Sequence, residues 1–291
     1  MAGPTQNRSA DGRLAILAGG GQLPVHVAEA ARRNGEDPFI IGLRAEVDRD
    51  WSRFDHVLIG TGDFSALERA VKANGITRMV MSGGVKRRPE WRELRPTLGT
   101  LLKMPAIVST LLRSGDDQVL RMVIALLESC GVRVIGAQEI APDLLAETGA
   151  LGRANPKPQD LADIDAARAA ALALGKLDIG QGAVAVGGRV VALEGPEGTD
   201  EMLNRVADLR RQGRISKSRR GVLVKFGKPQ QDERADLPSI GLGTVRGLVS
   251  AGLAGVAVEA GRSLLLEREA TIAAADEAGL FLLGITAEDR L

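Results

Sequence analysis

The densest collection of residues able to do chemistry is Lys225-Phe226-Gly227-Lys228-Pro229-Gln230-Gln231-Asp232-Glu233-Arg234-Ala235-Asp236-Leu237-Pro238. It follows an apolar run, Gly221 to Phe226, that fits a buried strand, so it belongs on a loop at a strand end, where sites are often carried. Pro229 and Pro238 bracket a stretch that cannot be one uninterrupted helix, and Leu237 before proline should be extended. Carboxylates crowded beside lysines and an arginine can be held as a working set. Hard oxygen donors with cations next to them suit Mg2+ and a phosphorylated ligand, the metal offsetting charge and helping to activate water. A solvated turn is the plainer account.

Glycine turns form the second group. Leu14–Ala18 runs into Gly19-Gly20-Gly21-Gln22-Leu23-Pro24 ahead of a helical stretch. Glycines let a backbone approach a ligand without Cβ clashes, and the N–H groups and dipole of the following helix favour an anion such as phosphate. The dinucleotide fingerprint is not met, because Gly19 and Gly21 fit its first two positions but Pro24 stands at the third. Glu46, after the second apolar run, is a weak candidate for a ribose-binding acid. Ser82-Gly83-Gly84-Val85-Lys86-Arg87-Arg88-Pro89 pairs two glycines with three cations and could hold a diphosphate, although a wet basic turn explains it equally well. Gly115-Asp116-Asp117 opens a long helix; capping explains its acids, and a ligand contact from Asp116 remains open. Glu194-Gly195-Pro196-Glu197-Gly198-Thr199-Asp200 precedes another helix, with Thr199 a good N-cap and its backbone N–H groups able to face a phosphate.

Several chemistries are excluded. The histidines are His26 and His56, neither within a motif, so no Ser-His-Asp or Cys-His arrangement can be assembled. Cys130 stands alone, which rules out an intrachain disulfide and a thiolate metal cage and points to a reducing, cytoplasmic compartment. With 38 Lys and Arg against 37 Asp and Glu, the net charge of +1 gives no field for nucleic acid. Aromatic residues are 2% of the chain, too few for base-stacking platforms, so Leu, Val, Ile and Ala must pack the core. No apolar run approaches the ~18 residues of a membrane span, and the polar stretch Met1 to Arg13 lacks a signal-peptide core and reads as a tail outside the fold.

The elements that must position these residues follow from periodicity. Leu14–Ala18, Pro38–Leu43, His56–Gly60, Arg78–Ser82 and Val132–Ala137 fit buried strands. Helices are predicted over Leu23–Asn34, Phe64–Asn74 and Asp116–Cys130, with Gly35, Gly75 and Gly131 as left-handed caps. Strands and helices alternating at this spacing predict an α/β chain with an N-terminal Rossmann-like, doubly wound parallel sheet over 13–142. Prolines and glycines over 143–160 read as a linker. A second α/β domain spans 161–291: an Ala-rich helix over Leu161–Leu177, a hairpin over Ala183–Leu193 turning at Gly187 and Gly188, a helix over Asp200–Gln212 and a helix near Thr244–Ala251. Loops from the two halves would then face a shared ligand in the cleft between domains.

Taken in order from Leu14 to Ile285, this motif set resembles the I-type UDP-2,3-diacylglucosamine pyrophosphatases of lipid A biosynthesis. The resemblance implies a Mg2+-dependent hydrolase that splits UDP-2,3-diacylglucosamine into UMP and 2,3-diacylglucosamine 1-phosphate, with the lipid product held between two domains. It puts the essential aspartate in Gln231–Asp236, with Asp232 preferred and Asp236 second. On that basis Asp232 binds Mg2+ or positions the attacking water, with Asp236 beside it. Lys225, Lys228 or Arg234 offsets charge on the diphosphate. Nucleotide or sugar-phosphate contacts fall to Gly19, Gly20, Gly21, Gln22, Leu23, Gly83, Gly84, Lys86, Asp116, Thr199 and Asp200. The apolar Thr97–Leu112 stretch is a weaker candidate for lining an acyl pocket than for ordinary core. Peripheral contact with the inner membrane surface and a homodimer are compatible with this picture. The alternatives are an NAD(P)-dependent or nucleotide-sugar oxidoreductase, disfavoured by Pro24, and a non-enzymatic nucleotide-sensing protein.

Overall fold

In a computed structural model of the protein, residues 12–85, 94–95, 104–113 and 115–289 are described. The chain forms two compact units, one holding the chain up to Asp143 together with Asp232–Asp236, the other Leu144–Gln231 with Leu237–Leu291.

The first unit is built on five parallel strands, β1 (Arg13–Ala18), β2 (Phe39–Leu43), β3 (His56–Ile59), β4 (Ile76–Ser82) and β5 (Arg133–Ile135), in the order β3-β2-β1-β4-β5. Their apolar runs are continuous rather than alternating, as in β2, buried at every position, because helices cover a parallel sheet on both faces. The interleaved helices are α1 (Leu23–Arg33), α2 (Phe64–Ala73), α3 (Met104–Arg113), α4 (Asp116–Ser129) and the short α5 (Ala137–Ile140). Asp63 caps α2 by accepting from the Ala66 N–H at 2.9 Å. Gly35, Gly75 and Gly131 take φ of +81°, +61° and +83°, the left-handed turns that the sequence requires after each helix. The chain leaves β1 toward β2 and later returns to β4 on its other side, so the switch point of the sheet lies between β1 and β4. The register places Ala18 opposite Ser82, which brings the turns that follow them out side by side.

The second unit carries a six-stranded mixed sheet in the order β6-β13-β11-β9-β7-β8. The strands are β6 (Gly149–Ala150), β7 (Gly182–Val186), β8 (Arg189–Leu193), β9 (Val222–Lys225), β11 (Gly255–Glu259) and β13 (Phe281–Ile285), while β10 (Ser239–Ile240) and β12 (Leu264–Leu265) pair apart from it. Strands β9, β11 and β13 are parallel; β7 runs antiparallel to β9, and β8 to β7. Gly187 and Gly188 close the β7–β8 hairpin at φ of +65° and +75°, a turn that L side chains resist. Helix α6 (Pro158–Lys176) buries Ile164, Ala167 and Ala171 in one core with Val224 and Phe226. Helices α7 (Gly198–Arg211) and α8 (Leu242–Ala251) bury Met202, Leu203 and Leu248 in another, and α9 (Arg268–Glu277) adds Ala275. Within the stretch read as a linker, β6 pairs antiparallel with β13 and Pro158 already starts α6.

Candidate active site

At the switch point the two glycine turns of the first unit hold each other. Gly20 and Gly84 exchange N–H···O bonds, both 2.9 Å, and the Gly19 N–H reaches the Ser82 carbonyl at 2.8 Å. A Cβ on Gly19 would meet the Gly84 oxygen at 2.4 Å, and one on Gly83, at φ +88°, would meet the Gly20 oxygen at 2.6 Å. Those glycines are therefore demanded by contact between the turns themselves. Gly84 differs: a Cβ there meets nothing within 4 Å. Gly21, at φ +94°, donates its N–H to Asp48 Oδ1 at 3.1 Å, and the Glu46 carbonyl lies against Gly20 at the same turn. At the start of α1, Val25 and His26 return their N–H groups to the Gln22 carbonyl, and Pro24 has none. The N–H groups of Gln22 and Leu23 have no acceptor among the described residues. Lys86 lies outside the described residues, and so does the side chain of Asp116, whose backbone opens α4.

The sequence reading puts Asp232–Asp236 in the second domain, yet the segment groups with the first unit, where Ala235 packs on the core cluster to which Ile124 and Leu127 belong. Asp232 is locked onto Arg234. Oδ1 accepts from the Arg234 N–H at 3.1 Å and Nε at 2.9 Å, and Oδ2 accepts from a terminal guanidinium nitrogen at 2.7 Å. The other terminal nitrogen donates to Glu128 Oε1 at 2.8 Å. These bonds hold the Asp232 carboxyl below its usual range and raise the guanidinium above its own. A carboxylate offers about four acceptor directions. Arg234 occupies three and leaves one, on Oδ2. The Asp236 N–H turns back to the Asp232 carbonyl at 3.4 Å, closing a tight turn.

In the second unit, the carboxyl ends of the parallel strands gather buried charge. Lys225, the last residue of β9, is 4% exposed. Its Nζ donates to Thr199 Oγ1 at 2.8 Å and to the Ser239 carbonyl at 3.2 Å. The Thr199 hydroxyl donates in turn to Glu194 Oε1 at 2.7 Å. Glu194 is itself buried, and its Oε2 has no donor among the described residues. Thr199 thus ties the start of α7 to a lysine and a glutamate instead of capping the helix, whose N-cap is Glu197 without a side-chain bond. Asp200 is exposed on the first turn. Lys228 pairs with Asp178 at 2.6 Å, and Glu259, ending β11, accepts from the Gly227 N–H and from Arg262, both at 2.9 Å.

The three cations assigned to the diphosphate are therefore all engaged within the protein. Sequence reasoning missed Asp48, Glu128, Asp178 and Glu259. Of these only Glu259, a single acid closing the apolar run Val256–Val258, left a local signal. No group of three or more His, Cys, Asp or Glu able to hold a metal ion occurs among the described residues. Leu98, Leu101 and Leu102 of the apolar stretch fall outside the described residues, while Ile107 and Leu111 of α3 are buried with Leu94 and Leu126. Among the described residues no helix is long and apolar enough to cross a membrane.

Sheet order and switch-point turns place the first unit in the doubly wound α/β class. The family models described as the LpxI N-terminal and C-terminal domains match residues 13–144 and 147–283, so the chain belongs to the LpxI family. A curated relative, UDP-2,3-diacylglucosamine pyrophosphatase LpxI of Caulobacter vibrioides, is 42% identical over 279 residues, covering 96% of this chain and 99% of the relative. Among solved structures, Bordetella bronchiseptica WbmG in complex with NAD and UDP is 20% identical, covers 43% of this chain and 37% of its own, and has a TM-score of 0.29. Thermus thermophilus UDP-glucose 4-epimerase with NAD is 12% identical, covers 96% and 88%, and has a TM-score of 0.30. Scores that low carry no argument.

Two outcomes follow for stability. Gly19→Ala and Gly83→Ala should each lose about 1–3 kcal/mol in chemical denaturation, and Gly84→Ala should stay within about 0.5 kcal/mol of the parent. Because the folded Asp232 carboxyl titrates below its ordinary 3.8, its stabilisation is present above that pH and fades as the pH falls through the folded value. Asp232→Asn should therefore be less stable by about 1 kcal/mol at neutral pH, and the gap should close in strong acid.

Proposed function

We propose that the chain hydrolyses the pyrophosphate of UDP-2,3-diacylglucosamine, water adding across the phosphoanhydride to give UMP and 2,3-diacylglucosamine 1-phosphate. The observation that carries this reading is the 42% identity, running through both units, to an enzyme bearing that name. The chain's own geometry is compatible with it. Attack on phosphorus asks the protein for positioning and charge and little covalent chemistry, which suits a chain with no assembled nucleophile.

In this reading Arg234 keeps Asp232 ionised and aims it, leaving one acceptor direction on Oδ2. A carboxylate held below its normal range is a weak proton acceptor near neutrality, so Asp232 acts by charge and orientation and not as the main general base. Mg2+ usually takes only one or two carboxylates, with phosphates and waters completing its shell. Asp232 through Oδ2, with Asp236, would hold such an ion, which would offset diphosphate charge and acidify a bound water. Lys225 is too buried to reach out itself. It fixes Thr199 and adds positive charge beneath the first turn of α7, whose backbone N–H groups are suited to a phosphate oxygen. The open space over Gly84 lets a ligand approach the backbone, and in the paired turn the N–H groups of Gln22 and Leu23 meet no acceptor among the described residues. Pro24, at the position where a dinucleotide fold needs glycine, weighs against a nicotinamide cofactor.

The decisive assay incubates the purified chain with UDP-2,3-diacylglucosamine and identifies products by mass spectrometry, with and without a chelator. UMP and the sugar 1-phosphate should form and should disappear with EDTA; intact substrate under both conditions would sink the reading. Asp232→Asn should lower kcat about a hundredfold or more while the protein remains folded. Thr199→Val and Lys225→Met should lose activity in common, so that the double variant is no worse than the poorer single one.

A further inference from the structure

Arg210 through Arg220 holds six cations and no acid, in a chain whose charges otherwise nearly cancel. Elsewhere most described arginines with ordered partners face a carboxylate, as Arg78 faces Glu36 and Arg153 faces Asp276. Here they do not. Among the described residues, Arg214, Lys217 and Arg219 are exposed and make no ion pair, and neither does Arg189 on the adjoining hairpin. The nearby acids are spent: Asp208 pairs with Arg211, and the buried Asp163 accepts the Gly188 N–H.

The segment is held in shape from beneath. Arg210 donates to the Ala251 carbonyl at 2.8 Å and to the carbonyls of Ser216, Arg219 and Arg220, so the loop is laced to α8 by its own backbone. Arg220 donates to the Leu253 carbonyl at 2.7 Å, and Ser216 Oγ accepts from the Ser218 and Arg219 N–H groups. Arg219 lies over the hairpin turn, where a Cβ on Gly187 would come within 3.1 Å of it. Between loop and hairpin runs a groove of about 370 Å³, with Arg189, Arg219 and Ser216 beside the apolar side chains of Val186, Val191 and Ile215. Its lining joins cations and a hydroxyl, which suit a phosphate, to an apolar wall.

We propose that this face of the second unit docks on an anionic phospholipid surface, with one phosphate-bearing headgroup seated in the groove. Cations spread over a loop and a hairpin match a plane of charges better than one dissolved phosphate, which one or two of them would satisfy. Each basic residue near an anionic bilayer strengthens binding about five-fold, so removing three should weaken it about a hundredfold. The attraction fades with salt as the Debye length falls from about 10 Å at 0.1 M to about 3 Å at 1 M. The charge geometry stands without the hydrolase reading, which supplies only the reason for docking: a diacylated substrate resides in membrane.

The full chain is tested by cosedimentation with vesicles of phosphatidylcholine alone and of phosphatidylcholine with phosphatidylglycerol. Wild type should sediment only with the second kind and be released by salt. R214Q/K217Q/R219Q should bind about a hundredfold more weakly with an unchanged melting curve. Equal binding by the variant, or binding to both vesicle types alike, overturns the proposal. So does saturable binding of soluble glycerol phosphate without vesicle binding, or retention on duplex DNA in its place. Hydrolysis of detergent-dispersed substrate by the same preparations separates the two claims. Activity without vesicle binding removes the docking face alone, and vesicle binding without activity removes the hydrolase reading alone.

Discussion

The reciprocal hydrogen bonds between Gly20 and Gly84 are the constraint on which the first unit's candidate site depends. Parallel strands deliver their loops to one edge, and the switch point between β1 and β4 sets two of those loops against each other. Side chains on Gly19 and Gly83 would run into the facing turn, and one on Gly20 into the Glu46 carbonyl, so packing accounts for these three. Gly21 and Gly84 both have open space over the α-carbon; the φ of +94° accounts for Gly21, whereas neither packing nor a positive φ requires Gly84. A cluster of glycines thus divides into those that build the turns, by packing or by φ, and Gly84, which leaves room beside them.

Charge is handled differently in the two units. Asp232 and Arg234 form a fork-to-fork pair that spends most of the carboxylate's acceptor capacity and tethers the segment to Glu128. In the second unit the ammonium of Lys225 and the carboxylate of Glu194 are bridged by the Thr199 hydroxyl and do not appear as a direct ion pair. Burying charge is costly unless it is compensated, and a hydroxyl able to donate and accept at once supplies that compensation to both ends. The order Glu194, Thr199, Lys225 also fixes where α7 begins, so packing and electrostatics act on the same first turn.

Much of this was legible in the sequence. Apolar runs gave the strands of the first sheet, and glycine after each helix gave its end, because both signals are local and backbone-driven. The hairpin at Gly187 and Gly188 was legible for the same reason. The two-residue strands β6, β10 and β12 were not, since so short a run has no period of its own and exists only through its neighbours. The site was half visible. Lys225, Lys228, Thr199, Asp232 and Arg234 stand in recognisable runs, but Asp178 and Glu128, the partners of Lys228 and Arg234, lie 50 and 106 residues away on a turn and a helix whose own sequence asks for nothing more. The cations that the resemblance sets against a diphosphate, Lys225, Lys228 and Arg234, each have an acceptor within the protein.

The first unit is not one continuous stretch of chain, for Asp232–Asp236 arrives from far downstream and packs Ala235 on the core of the five-stranded sheet. Cutting the polypeptide near residue 144, where the family's two parts meet, would hand the Arg234 clasp to the wrong fragment. Glu128 would lose its counter-ion and the patch covered by Ala235 would be bare. Dissection into separately produced halves therefore calls for a grafted pentapeptide or a circular permutation that keeps the clasp with the sheet it closes.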